Sequence, residues 1–479
     1  MDKKTTSNFI YNLAYQILSI ITPLATSPYI ARVLGSEGVG IYSYSSTIAL
    51  TFALFAALGA NTYGQREIAM RQSDVEVRSK FFWELFYLRF LLSAVVALAY
   101  FAFAFYYKSY TVFLLQSSFI VLSYLFDVAW LFMGMEDFKV IVTNNIIVKL
   151  VTIACVFLFV RKSDDVGIYI LINSLSSVVT VSYFMLHLHK YVQWVPLKEL
   201  KIWRHLPGVI QFFIPIIAVQ IYSQIDKLML GAMGADVSEN GYYEQARKLT
   251  NLVVVMTTAL NTVLLPRLSN LFGKDDKKAM VSTYQETFRF TLLFLIPIVV
   301  GLFMISDNFV NWFLGADFAK TSLLLKWSCA LIALMTVGNF IGMQYLNPTG
   351  QQNKMTVVYL AAAVVNVILN AMLIPRMLSE GAIIASVIAE AVSAGAQIWL
   401  LKKSEYNFRM LRGAWKYVLA AGLMAGVIWL IGTKLGVTGI VQTVLEILIG
   451  GVVYFVVLIC IREESVCSVL GKVLAKLKK

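Results

Sequence analysis

Residues 81–107, FFWELFYLRFLLSAVVALAYFAFAFYY, form an apolar run long enough to cross about 30 Å of hydrocarbon, which takes about 20 helical residues. Runs of this kind recur almost from end to end. Roughly fourteen are drawn, at 9–33, 40–62, 81–107, 111–134, 139–160, 166–187, 209–232, 241–265, 284–305, 321–345, 354–375, 381–401, 416–433 and 438–461. With 59% hydrophobic residues and a mean hydropathy of +0.74, a soluble domain of 479 residues is excluded. Lipid cannot hydrogen-bond exposed backbone, so the segments must be helices bundled together, and the fold class is an all-α polytopic membrane protein.

An even number of spans puts both termini on one side. With the N-terminus inside, inner segments carry 26 of the 40 Lys and Arg, counting Lys139, Lys354 and Lys416 at the span ends that border them, and outer loops carry 7, counting Arg32 in the same way. Inner examples are Arg66, Arg71, Arg78 and Lys80 in one loop and Lys402, Lys403, Arg409, Arg412 and Lys416 in another. That asymmetry assigns both termini to the cytoplasm. The net charge of +13 therefore reflects orientation, and no basic soluble domain is present to bind nucleic acid. Met1-Asp2-Lys3-Lys4 ahead of a full-length span reads as a signal anchor. Cys155, Cys329, Cys460 and Cys467 have no paired spacing, and His187-x-His189 has no third ligand, so neither a disulfide framework nor a metal or other cofactor is expected. Connections are short, leaving no extramembrane domain for an enzymatic site.

An internal echo organises the spans. Gly40-Ile41-Tyr42 and Gly241-Tyr242-Tyr243 each open a span that closes on an arginine, Arg66 and Arg267, at the same offset. Phe132-Met133-Gly134-Met135 is echoed by Phe340-Ile341-Gly342-Met343. Two parallel six-helix lobes are expected: 1–190 (spans one to six) and 209–403 (spans seven to twelve). A cytoplasmic interfacial linker at 191–208 joins them, its residues 193–206 forming an amphipathic surface helix. Spans thirteen and fourteen occupy 404–461, and 462–479 is a basic amphipathic tail. Pro23, Pro28, Pro215 and Pro297 interrupt backbone ladders and permit bends.

A charge near the bilayer centre costs about 2.5–3.5 kcal/mol, so each buried one needs a partner, a wet cavity or a task. Lys149, mid-span and four residues after Asn145, faces a polar cavity or pairs with Asp127. In Asp226-Lys227, adjacent side chains point about 100° apart, so one lines the cavity or the outer headgroups while the other pairs with the next span. There Glu244, Arg247 and Lys248 stand at helical spacing, and Glu244 compensates one of the bases. Arg89, Arg289 and Lys326 are expected to snorkel to the interface, with Glu286 a partner for Arg289. Glu390 is an isolated acid, either an ion or proton site or half of a Glu–Lys pair. Lys149 and the Arg247/Lys248 pair would suit an anionic headgroup such as a diphosphate.

The stretch Pro28-Tyr29-Ile30-Ala31-Arg32-Val33-Leu34-Gly35-Ser36-Glu37-Gly38-Val39-Gly40-Ile41-Tyr42 resembles the first-loop signature of the bacterial polysaccharide-transport family. These are O-antigen and capsule repeat-unit flippases of the multidrug/oligosaccharidyl-lipid/polysaccharide exporter superfamily. The segments 226–231, 241–243, 132–136 and 380–390 agree with it. The resemblance implies a V of two six-helix lobes around a cationic cavity, with two extra helices. It also implies alternating-access movement of undecaprenyl-diphosphate-linked oligosaccharide to the outer leaflet, driven by an H⁺ or Na⁺ gradient or by membrane potential. Polysaccharide polymerase and chain-length machinery are the implied partners. The cationic role is carried to Lys149, Lys227, Arg247 and Lys248, with Arg32 a further cavity cation or a structural residue; Asp127, Asp226 and Glu390 are coupling-ion or ion-pair candidates. The rivals are a cation-coupled multidrug antiporter and a peptidoglycan-precursor flippase of the same superfamily.

Overall fold

The computed structural model describes residues 3–234, 236–274, 276–404, 413–434, 436, 438–464 and 466–467, with the side chains at 3–20, 214–215, 218–219, 221–223 and 258–267 outside that description. Pro215, Arg267, Arg409, Arg412 and most of the expected tail therefore lie outside it. The described elements are all helical: α1 (Lys3–Ala57), α2 (Ala60–Ala69), α3 (Val75–Tyr106), α4 (Thr111–Ser123), α5 (Ala129–Gly134), α6 (Phe138–Phe159), α7 (Val166–His187), α8 (Leu206–Met233), α9 (Ser238–Gly273), α10 (Lys277–Leu314), α11 (Ala319–Ile341), α12 (Gln352–Lys402), α13 (Ala414–Lys434) and α14 (Gly439–Cys460), with short 3₁₀ and π turns between some of them. Among the described residues, nine helical stretches are long and apolar enough to cross a membrane.

Nine is fewer than the fourteen runs in the sequence partly because two of these stretches each hold two runs. At about 1.5 Å per residue the 55 residues of α1 would extend about 82 Å, far more than a bilayer needs. The chain leaves helical geometry at Gly35 (φ 68°), between the first two apolar runs. It does so again in α12 at Leu378 (φ 52°), between the eleventh and twelfth. Pro23 and Pro28 keep helical geometry, so the break in α1 is at the glycine rather than at either proline.

Two other runs are broken internally, and α3 supplies what the breaks need. The second run stops at Leu58-Gly59, where φ is positive at both residues, and resumes as α2. The fourth stops between α4 and α5. Backbone groups released inside a membrane must find protein partners. From α3, Ser93 donates to the Ala56 carbonyl (3.1 Å) just before the first break. One turn earlier, Arg89 donates to Asn61 Oδ1 (2.6 Å) beyond that break and to Asp127 Oδ2 (2.8 Å) inside the second. The other Asp127 oxygen accepts from the Ala129 amide at the start of α5 (3.0 Å). Arg89 is 2% exposed and lies over the Tyr124 ring. It therefore does not snorkel, and the partner of Asp127 is Arg89 rather than Lys149. Arg289 and Lys326 are likewise paired, with Glu464 and Asp307 at 2.8 and 2.6 Å; Glu286 is not the acid on Arg289.

Contacts group the residues into two compact units, Met1–Gly241 and Tyr242–Lys479. The seventh span, α8, packs on α1 and α2 and falls in the first unit. Within the first unit the echo glycine Gly241 meets Gly40. A methyl group on Gly40 would lie 2.0 Å from the Val237 carbonyl oxygen, and one on Gly241 2.1 Å from that of Ser36. In the second unit α10 packs on α11, α13 and α14, and α11 on α12.

The segment 193–206 is not the amphipathic helix its composition suggests. It is an extended strap with two 3₁₀ turns, Leu197–Glu199 and Ile202–His205, laid against the start of α3. Pro196 cannot donate, and α3 side chains take the backbone groups a helix would have used. Arg78 donates to the Tyr191 carbonyl, Ser79 Oγ accepts from the Gln193 amide, and Trp83 donates to the Gln193 carbonyl. Fully buried Glu84 accepts from the Lys201 amide (2.9 Å), pairs with Arg204, and lies 2.8 Å from His205 Nε2. Trp194, Leu197 and Trp203 point outward and are exposed.

Two outcomes follow from these anchors. Asp127→Ala leaves the Arg89 guanidinium buried without its carboxylate, at a cost of about 3–5 kcal/mol, and the melting temperature of the purified protein falls accordingly. Pairing it with Arg89→Met recovers much of the loss, because no charge then remains to be compensated. The second outcome concerns His205. Burial holds its imidazole below its ordinary value, against the raising pull of Glu84 and alongside the lowering effect of Arg204 and Arg71. The folded state therefore binds that proton less readily than the unfolded one, and the stabilisation present at neutral pH is lost progressively as pH falls below about 6.5 toward the lowered folded value. Amide exchange over 197–205, corrected for intrinsic rate, speeds up across that range, and His205→Asn removes the dependence.

Candidate functional site

Lys149 is half-buried on α6, while its neighbours Ile147, Leu150 and Val151 are exposed. It lines a polar cavity of about 260 Å³ in the first unit. Three helices contribute, each through one face. On α6, Asn145, Lys149 and Thr152 recur at four- and three-residue spacing; on α7, Tyr169, Asn173, Ser176 and Thr180 do the same; the first arm of α1 adds Thr22 and Thr26.

The hydrogen bonds around this cavity decide what it can hold. Thr26, Thr152, Ser176 and Thr180 each donate their hydroxyl hydrogen to a carbonyl three or four residues back in their own helix, at 2.6–2.9 Å. Asn173 donates in the same way to the Tyr169 carbonyl (2.8 Å). Their protons are thus committed, and the oxygens present lone pairs inward. These four hydroxyl oxygens act as acceptors in a wall that also holds the Lys149 ammonium, the Asn145 amide, the Thr22 and Tyr169 hydroxyls and the apolar Val148, Ile153 and Val156. Such a wall suits a ligand with an anionic group for Lys149 and several hydroxyl donors for the rest.

The helix breaks border a second cavity in the same unit, of about 330 Å³. Asn61, Tyr124, Gln220 and Gln224 are polar groups in its wall, and most of its remainder is aliphatic or aromatic. Asn61 is held there by Arg89.

The other predicted residues occupy separate settings. Arg32 is exposed on α1 three residues before the Gly35 break. Asp226 is buried on α8 and Lys227 half-buried beside it. In the second unit Lys248 pairs with Glu244 in its own helix at 3.4 Å, and Arg247 is half-buried on the same helix. Glu390 is 6% exposed in a polar seam of α9, α11 and α12. A methyl group on Gly338 of α11 would lie 3.4 Å from both Glu390 Oε1 and Gln397 Nε2. Thr257 and Thr336 share a hydrogen bond in the seam at 2.9 Å, and Tyr243 and Ser386 approach to 3.5 Å. His187 and His189 turn Nδ1 to carbonyls of their own turn, at 2.9 and 3.0 Å. Among the described residues no cluster could hold a metal ion. Reading single charges passed over the polar stripes of α6 and α7, although their spacing is visible in the sequence. Asn61 and Ser93 carried no comparable signal, because only the breaks they serve make them significant.

The family described as "Polysaccharide biosynthesis protein" matches residues 5–272, more than half of the chain, and the MatE family matches 213–372. A protein of Escherichia coli (strain K12) named "Putative O-antigen transporter" is 22% identical over 369 residues, which are 76% of this chain and 88% of its own length. The Haloferax volcanii "Probable low-salt glycan biosynthesis flippase Agl15" is 27% identical over 236 residues, 49% of each protein. Among solved structures, the lipid II flippase MurJ in an inward closed conformation matches with a TM-score of 0.77 at 18% identity, covering 95% of this chain and 99% of that one. An inward-facing multidrug resistance MATE family transporter of the MOP superfamily matches at 0.64 and 14% identity, covering 80% and 96%. The structural likenesses show a shared all-helical transporter fold, and the sequence match over more than half its length makes this chain a multi-pass membrane protein of the polysaccharide biosynthesis protein family.

Proposed function

We propose that the chain is a flippase that moves undecaprenyl-diphosphate-linked oligosaccharide units from the inner to the outer leaflet by alternating access, for assembly of a surface polysaccharide. The observation that carries this reading is the Lys149 cavity. The Lys149 ammonium group beside hydroxyls committed to their own helices matches a phosphate group next to sugar, which brings negative charge and hydroxyl donors together. The relatives named for O-antigen transport and glycan flipping support the same substrate class.

The remaining assignments belong to the same proposal. The protein resides in the bacterial cytoplasmic membrane with both termini inside, as the Lys and Arg distribution favours. It is built from two parallel six-helix repeats and two appended helices, couples to an ion gradient, and hands its cargo to polymerase and chain-length machinery. Lys227, Arg247, Lys248 and Arg32 remain secondary candidates for the headgroup, and Asp226 and Glu390 for the coupling ion. Asp127 is assigned to the structural pair with Arg89.

The test is leaflet translocation of a fluorescent undecaprenyl-diphosphate oligosaccharide in proteoliposomes. Wild type flips it, Lys149→Ala slows it by about tenfold or more, as loss of a hydrogen bond to a charged group worth about 1.5–3 kcal/mol implies, and Lys149→Arg retains much of the rate. Full activity in Lys149→Ala would return Lys149 to a structural role while leaving the flippase reading intact. If no diphosphate-linked lipid moves under any imposed gradient and an organic cation does, the antiporter reading replaces it. Equal flipping of a peptidoglycan-precursor lipid would widen the substrate class.

A further inference from the structure

The second unit contains a further buried acid. Glu446 lies on α14 one turn after Gln442, whose Nε2 donates to Glu446 Oε1 at 2.8 Å. The residue is 3% exposed, and no group among the described residues hydrogen-bonds Oε2. Glu446 lines a cavity of about 350 Å³ between α10, α13 and α14, whose walls include Phe294, Pro297, Gly301, Met424, Ile428 and Tyr454.

Hydrogen bonds fasten α14 to α10 on both sides of this cavity. At one end Asn308 donates to the Gly439 carbonyl (2.9 Å) and to Thr443 Oγ1 (2.8 Å), and the Trp312 indole donates to the same Thr443 oxygen (2.9 Å). At the other, Tyr454 donates its hydroxyl hydrogen to the Leu293 carbonyl (3.0 Å). That carbonyl lies four residues before Pro297, which has no N–H to offer it, so Tyr454 replaces the missing helical donor. The carboxyl group is held between these fastenings against apolar side chains.

Among the described residues, the charged groups on the surrounding helices are engaged elsewhere, stand at helix ends or, like Glu286 of α10, are exposed. On α10, Arg289 pairs with Glu464, and Asp307 accepts from Ser322 and Lys326. On α13, Lys416 donates to the Arg462 carbonyl and Lys434 stands exposed at the end of the helix. Beyond α14, Glu463 accepts from Tyr417 and from the Val466 amide. Among the described side chains of α9, Val253 alone reaches the wall, five residues after Lys248, which pairs with Glu244. A carboxylate at position 446 would thus set a negative charge against hydrocarbon with a single neutral amide for company, whereas the acid form sets none.

We propose that Glu446 is a proton-binding site inside the membrane, with the proton on Oε2 and Oε1 accepting from Gln442. The inference does not depend on which solute the protein moves. Protonation removes the charge from the α10–α13–α14 cavity; release of the proton restores it and favours hydration or separation of the cavity walls, which gives the helices a reason to respond to a proton gradient.

Infrared difference spectroscopy on the full chain in lipid nanodiscs, titrated across about pH 5 to 9, tests this directly. Wild type should show a neutral carboxylic-acid carbonyl band at neutral pH that disappears on alkaline titration and is missing from Glu446→Gln. An ionised carboxylate at neutral pH, or the same titrating band in Glu446→Gln, would overturn the proposal. Should Glu446→Gln fail to fold, Gln442→Leu provides the second reading. It keeps the acid but removes the donor to Oε1, so the carbonyl band moves to higher frequency; an unmoved band also sinks the assignment.

Discussion

A backbone group without a partner cannot be left to water when the surroundings are hydrocarbon, and the rest of the structure depends on this constraint. The first unit contains two interrupted helices and answers both from one side of α3. Ser93 reaches the carbonyl stranded before the Leu58-Gly59 break, and Arg89, one turn away, ties Asn61 beyond that break to Asp127 inside the other. A guanidinium can do this because its donors diverge from a rigid plane; an ammonium group in the same place would reach one partner well and the other poorly. The second unit meets the same constraint at Pro297, where the hydroxyl of Tyr454 replaces the absent amide. In both units, side chains that look like isolated polar anomalies complete a backbone.

That constraint also sorts the intramembrane charges. Arg89 with Asp127, Arg289 with Glu464, Lys326 with Asp307 and Lys248 with Glu244 are opposite charges brought within ion-pair distance. The pairs differ in solvent access. Arg89 is enclosed, so removing its partner costs far more than it would for Arg289, whose partner Glu464 is largely exposed. Lys149 lines a polar cavity together with Asn145, Asn173 and several hydroxyls.

Much of this fold was legible in the sequence because membrane spans are written in length and apolarity, which need no knowledge of neighbours. The turn between the first two runs and that between the eleventh and twelfth were readable from where apolarity lapses, and the chain leaves helical geometry at Gly35 and Leu378 in those places. The strap at 193–206 was misread because its aromatic and basic composition fits a surface helix equally well; what makes it extended is the row Arg78, Ser79, Trp83 and Glu84 on a distant helix. Arg89 was misread for a related reason. Its position in the sequence permits snorkelling, and only the three-dimensional adjacency of two helix breaks gives it a buried task. For the site, the charge of Lys149 was conspicuous, but the stripes Asn145–Thr152 and Tyr169–Thr180 were hidden by the habit of reading serine and threonine in membrane helices as neutral filler.

Those stripes bear on the choice between an anionic glycolipid and an organic cation as cargo. A threonine that donates to its own helix keeps an acceptor oxygen, and taken alone a ring of acceptors would serve a cation well. Placing an ammonium group among them reverses the preference, since a second cation in a low-dielectric cavity is repelled by Lys149 with little screening. An uncharged apolar guest would bring no polar group to the ammonium or to the hydroxyl oxygens of the wall. A phosphate-bearing sugar meets both demands together, offering oxygens to Lys149 and hydroxyl hydrogens to the threonines. The polarity of the cavity thus favours glycolipid over drug, and it does so through the hydrogens already committed to the helices as much as through the charge itself.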